Sequence, residues 1–299
     1  MRIIYLIFLS ILSVFVSVQS ASAQGAIDSR GKDFWLTFMP NFHGNAGRDT
    51  LYIYIAASKT TTGVISYTNR NGNSFQQPFS IVDSTQIYTF KVPWNDYELI
   101  GFMQNNIIYQ NNQVQVSARQ SFHVTADEEV SVYALSQAVT TSDAFLVLPT
   151  DALGADYFVM SYNSDGTSNN GQTTNGSSTP SQFSIIATED NTDIHIVPTA
   201  PTYRSGMNPI DITLMKGEVY LVQAAIAANY LRGDLTGTRI KATKPVAVFG
   251  GHQRSKLPVT FTMLGSRDFL CEQMPPVNTW GKNYFVTPYP QPGCRRCWW

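Results

Sequence analysis

The sequence predicts an all-β protein built from tandem antiparallel β-sandwich-like units of about 125 residues. Three observations carry that reading. Apolar and polar residues alternate in short runs rich in Val, Ile, Tyr, Thr and Phe, punctuated by Gly, Asn, Asp, Ser or Pro. A decamer reading GKDFWLTFMP from Gly31 returns as GADYFVMSYN from Gly154 and as GKNYFVTPYP from Gly281. Further segments repeat between those copies in the same order, which chance matches do not do.

The leader comes first. Arg2 is a short basic n-region, Ile3 to Val18 is apolar, and Ala21-Ser22-Ala23 is an A-x-A site. These predict a signal peptide over residues 1–23. Its apolar run is short for a span of about 20 residues, and no later stretch is apolar enough to cross a bilayer. The expected location is secreted or at the cell surface.

The decamer is strand-like. Phe34, Leu36 and Phe38 fall on one face with Trp35 and Thr37 on the other. Both faces carry bulk, so the strand is expected to be covered on both sides. Strands then follow at LYIYIAAS from Leu51, GVISY from Gly63, a looser stretch from Ser74, QIYTFKV from Gln86 and QVQVSA from Gln113. FHVTADEEVSVYA from Phe122 reads as a hairpin turning at Asp127–Glu129.

The second pass runs in parallel. FSIIATE and DIHIV flank a turn as YIAAS and GVI do, and DITL and VYLVQ follow. TRIKATKPVAVFG from Thr238 reads as a second hairpin turning at Thr243–Pro245. Val222–Leu231 is the one stretch with a helical pattern. Asn163–Ser181 is a polar low-complexity loop and holds the sole N-x-[ST] sequon, at Asn175. Pro149 and Pro276 each stand five residues before a decamer glycine. The repeat places one unit at 31–153, a second at 154–280, and the start of a third, truncated unit at 281–299.

Composition narrows function. Charged residues make up 14% of the chain and the net charge is −1, with no basic block, so nucleic acid is not an expected partner. The three cysteines, Cys271, Cys294 and Cys297, are too few and too late in the chain for a disulfide framework. Cys294-x-x-Cys297 has metal or redox spacing, but it lacks the second pair that a zinc site needs.

GKDFWLTFMPN, DLTGTRIKATKPVAVFGGHQ and EQMPPVNTWGKNYFVTPY together resemble the IgGFc-binding protein N-terminal domain family. The resemblance runs from Gly31 to about Pro290. It implies an extracellular, non-catalytic, β-rich module, and the leader and the lack of a cysteine framework look bacterial. Family members usually carry a cysteine in the loop after GGH, near a second before EQ. Only Cys271 is present here, so that bridge is absent.

Candidate site residues are few. Glu189, Asp190 and Asp193 cluster in one turn and offer oxygen ligands for Ca²⁺, though the EF-hand glycine and distal glutamate are missing and a hairpin turn uses the same residues. His252 follows VFGG at a strand end, without the G-x-S-x-G elbow that would expose a nucleophile. Trp94 stands in a loop, VPWNDYE, and is the aromatic best placed for a ligand. Trp35 and Trp280 lie in or beside the repeated strands and are expected in the core. No catalytic residue and no cofactor beyond Ca²⁺ is indicated.

The reading is an exported binding or adhesion module for an extracellular protein or glycan, mucin-like or immunoglobulin-like. The alternatives are a secreted polysaccharide hydrolase, with Glu189, Asp193, Glu218 and Asp234 as its available acids, and a structural spacer.

Overall fold

The computed structural model describes residues 28–43, 49–101, 103–104, 107–108, 116–117, 119–163, 179–225, 233–255 and 267–285. The leader, the sequon, Cys294, Cys297 and the third decamer beyond Phe285 lie outside them. The regular structure of the described chain is nearly all strand: β1 (Arg30–Leu36), β2 (Thr50–Ala57), β3 (Thr61–Thr68), β4 (Ser74–Ile81), β5 (Ile87–Pro93), β6 (Met103–Gln104), β7 (Ile107–Ile108), β8 (Val116–Ser117), β9 (Phe122–Gln137), β10 (Ser142–Val147), β11 (Gly154–Phe158), β12 (Ser181–Ala187), β13 (Thr192–Val197), β14 (Ile210–Leu214), β15 (Val219–Gln223), β16 (Arg239–Ser255) and β17 (Asp268–Gln273).

Two similar antiparallel sheets result, each curled into a half-barrel. The first runs β4-β3-β9-β2-β5, with β1 and β10 also on β9. The second runs β14-β13-β16-β12-β15-β8, with β11 and β17 also on β16. Strand for strand the orders agree, β8 aside. That short strand leaves the first half of the chain and pairs with β15 (Val219↔Ser117), tying the halves together.

The two expected hairpins are instead single long strands, each bent in the middle. The first half of β9 pairs with β3 and its second half with β2, the two arms of one hairpin. On its other edge β1 gives way to β10, and the β1 register jumps between Gly31↔Val130 and Asp33↔Thr125. In β16 the register jumps at the same place, between Gly154↔Val246 and Asp156↔Lys241. The polar residues at each bend read as turns because they leave the ladder. Their groups are met by side chains: Thr61 Oγ1 accepts from Glu128 N, Lys32 Nζ donates to Asp127 O, and Thr188 Oγ1 donates to Pro245 O. Pro245, with no N–H to place, sits at the bend of β16.

Val222 and Gln223, read as the start of a helix, belong to β15, and the rest of that stretch from Ile226 lies outside the described residues. All five β15 residues are buried, because both faces of the strand are covered. Strand β12 is also buried throughout, whereas β2 alternates, its outer face carrying Tyr52 and Tyr54. The difference comes from how the sheets stack. Ile186, Val219, Leu221, Ala247 and Phe249 of the second sheet join Phe34, Ile53, Ile55, Val130 and Val132 of the first in one core. The opposite face of the second sheet carries its own core of Tyr157, Phe183, Ile185, Val222, Val246 and Val248. Each fully buried Leu, Ile, Val or Phe stabilises by about 1.5–3 kcal/mol, so the shared core joins the halves strongly.

The decamer strand is covered on both sides as its pattern predicts, with Phe34, Trp35, Leu36, Thr37 and Phe38 all buried. Trp280 corrects the sequence reading. It is 47% exposed, tilted against Phe158 on the surface rather than packed in the core. No strand forms over Gly281–Phe285, where Phe285 is fully exposed.

Candidate functional site

The segment after β1 lies between the two sheets, bonded to both, and carries a densely bonded polar cluster. His43 is fully buried. Its Nδ1 lies 2.7 Å from Asp49 Oδ2 and its Nε2 lies 2.8 Å from Glu98 Oε2. The ring stacks on Trp94 at 3.7 Å between centroids. Burial pulls the His43 pKa down, but Glu98 and Asp49 together outweigh burial and leave it above 6.5. The carboxylates are held in turn: Asn41 N donates to Glu98 Oε1 and Val139 N to Asp49 Oδ1. Asn41 Nδ2 donates to Ser136 Oγ and to Thr141 O, and Thr141 Oγ1 accepts from Phe269 N of the second sheet. Gln182, also of the second sheet, donates to Pro40 O. A buried ion cluster thus pins the seam between the halves.

Trp94, the ligand candidate from sequence, lies at the start of a helical turn (Trp94–Tyr97) and is half-buried against His43. His252 sits inside β16, between Ser181 of β12 and Leu270 of β17, with no exposure. Its Nδ1 accepts from Arg254 N. Burial pushes its pKa down to about 3, with the Asn163 backbone opposing and the Arg267 charge reinforcing. A neutral, enclosed imidazole is no exposed base. Trp94 and His252 are not brought together in one contact.

The acidic turn closes the β12–β13 hairpin, with Asn191 in the left-handed region at φ +53°. Asp190 Oδ1 accepts from Lys216 N, and Asp193 Oδ1 accepts from Thr213 Oγ1 at 2.6 Å. Glu189 contributes its backbone carbonyl, to Thr192 Oγ1. Among the described residues no three His, Cys, Asp or Glu side chains gather as a metal-binding group. The other acids considered from sequence also serve turns: Glu218 Oε2 accepts from Met215 N, and Asp234 Oδ1 from Thr236 N.

A second feature at the seam escaped sequence reading. A groove of about 540 Å³ lies where the β14–β15 turn of the second half meets the outer face of the first sheet. Strand register lines up a row across four strands: Trp35 opposite His123, His123 opposite Ser66, Ser66 opposite Gln76. The Trp35 and His123 rings stack at 3.9 Å, and Lys216 Nζ stands 5.6 Å from the Trp35 ring centroid. Gly217 has φ +80°, and a Cβ there would sit 3.3 Å from the indole, so glycine allows the turn to close on Trp35. Ser121 Oγ fixes that turn by donating to Gly217 O. Arg119, at φ +57°, also lines the groove. Asp33 lies beside it, on the same face of β1 as Trp35 and half-exposed, bonded to His123 Nε2 at 2.7 Å and to Thr150 Oγ1. Burial pushes Asp33 up, but the hydrogen bonds from His123 and Thr150 and the nearby cations hold it below its ordinary value.

Comparison with known proteins adds family. A family model described as IgGFc binding protein matches residues 143–296. The human IgGFc-binding protein is 26% identical over 168 residues, which is 54% of this chain and 3% of that protein. The chain thus spans a small part of the relative's length. The crystal structure of PBSX exported protein XepA aligns over 73% of this chain and 81% of its own, at 10% identity and a TM-score of 0.18, a likeness too weak to bear on the fold.

Proposed function

The chain belongs to the IgGFc-binding protein family, and from that premise we propose that it is an exported, non-catalytic binding module for an extracellular protein or glycan. The family match is the observation that carries the reading. The name of the human relative makes the Fc part of immunoglobulin G the first target to try. The architecture suits such a role, because strands fix a rigid body while turns and sheet faces are free to vary. No helix among the described residues is long and apolar enough to cross a membrane.

The same reading treats 31–153 and 154–280 as two copies of one unit and 281–299 as the start of a third. Equal strand order supports it, and so do the junctions. Gly31 packs on Pro149 as Gly154 packs on Pro276. Gly154 N donates to Tyr157 Oη as Gly281 N donates to Tyr284 Oη. Immobilised Fc, mucin and polysaccharides, each challenged with the purified chain, test the proposal. Saturable capture by one of them is expected; capture by none would contradict it.

A further inference from the structure

We propose that the groove where the Lys216–Gly217 turn meets the outer face of the first sheet binds an acidic saccharide, a sugar chain carrying carboxylate or sulfate. The proposal rests on the reading of the chain as a binding module and assigns that module a site.

Charge gives the sign of the ligand. Arg119 and Lys216 are both exposed and line the groove, and neither is held in an ion pair among the described residues. Two acids stand near: Asp33 is bonded to His123 and Thr150, and Asp190 accepts from the Lys216 backbone N–H, so neither pairs with the Lys216 ammonium or the Arg119 guanidinium. An anion entering the groove therefore meets two cations rather than a cation already neutralised by a carboxylate.

The floor gives the chemistry. Ser66 and Gln76 face each other across β3 and β4, and Thr68 and Ser74 form the next pair on the same face, their hydroxyls 3.1 Å apart. These hydroxyl and amide groups suit a ligand rich in hydroxyls, and Trp35, Tyr67 and Phe75, which also line the groove, supply the apolar surface that the carbon face of a sugar ring needs.

The direction of the row argues for sugar over peptide. A peptide captured by a sheet lies along an edge strand and is read by its backbone. Here the row runs across β1, β9, β3 and β4, and it is made of side chains. The residue after Arg119 is anchored: Gln120 O accepts from Thr37 Oγ1, and Gln120 Nε2 donates to Glu98 O. Since the floor belongs to the first sheet and Lys216 to the second, neither half holds the site alone.

The test is calorimetric titration of the full chain with a heparin-derived hexasaccharide, a hyaluronan hexasaccharide, neutral maltohexaose and an oligoglutamate peptide. At least one acidic sugar is expected to bind and maltohexaose is not. Binding should weaken with added salt, and by about fivefold or more in Lys216→Ala and in Arg119→Ala, as loss of one charge-assisted contact requires. Circular dichroism and thermal melts of both surface variants confirm their folding, and Lys216→Glu should abolish binding. Equal binding of neutral and acidic sugars, preference for the peptide, or acidic-sugar binding untouched by every variant would each overturn the assignment. If Fc or mucin is captured equally by wild type and variants and no acidic sugar binds, the groove assignment falls and the binding-module reading stands. If nothing binds, both fall.

Discussion

Replacing His43 with alanine probes the seam most sharply. The imidazole is enclosed between Asp49 and Glu98, at 2.7 and 2.8 Å, and all three side chains are at most 1% exposed. Removing it leaves two carboxylates facing each other without a cation. Breaking a buried ion pair by deleting one partner costs about 3–5 kcal/mol. Loss of the stacked contact with Trp94 adds about 0.5–1.5 kcal/mol if it behaves as an aromatic pair. Urea unfolding of wild type and His43→Ala, followed by circular dichroism, measures the difference. The pH dependence has a definite sign. Because the folded pKa of His43 is raised, its stabilisation is fully present below 6.5 and is lost as pH rises through the higher folded value. The gap between the two proteins should therefore narrow as pH rises above 6.5. A cost under about 1 kcal/mol, as for an exposed pair, or a gap that does not change with pH, would refute the reasoning.

Two further predictions follow from packing. Gly251→Ala would place a Cβ 1.9 Å from Leu270 O, which is backbone and cannot swing aside, so unfolding experiments should show a loss of at least about 1–3 kcal/mol. A variant of normal stability would mean that β16 and β17 are not so closely paired. Cys271 is buried, and burial, then the charges of Asp143 and Glu272, push its thiol well above the ordinary range. With Cys294 and Cys297 changed to serine, the remaining thiol should react with Ellman's reagent only on unfolding; rapid reaction of the native protein would contradict its placement.

Much of the fold was legible because the local signals agree with it. Alternation in LYIYIAAS gave β2, whose one face is buried and whose other carries tyrosines. The decamers marked β1 and β11, which occupy equivalent places on β9 and β16. The bends of β9 and β16 were misread because Asp127–Glu129 and Thr243–Pro245 have the composition of turns. That they continue a strand depends on side chains of Thr61, Lys32 and Thr188, distant in sequence. The Val222 region was misread because a strand buried on both faces loses the alternation that identifies strands. Of the site residues chosen from sequence, Trp94 stands at the seam, but no motif around its partner His43 singles that histidine out. Nothing in local pattern unites His43, Asp49 and Glu98, nor Trp35, His123, Ser66 and Gln76. Chain threading makes the first set and strand register the second.

The central claim is that two like β units form one body through a shared core, in which the second sheet closes the first. Expression of residues 24–153 alone tests it most directly, with amide dispersion in a two-dimensional NMR spectrum as the readout. The account predicts a poorly dispersed, non-cooperative fragment, since Phe38, Phe145 and their neighbours lose the cover of Phe249 and Phe269. A well-dispersed fragment that unfolds cooperatively, with the stability of the whole chain, would contradict it.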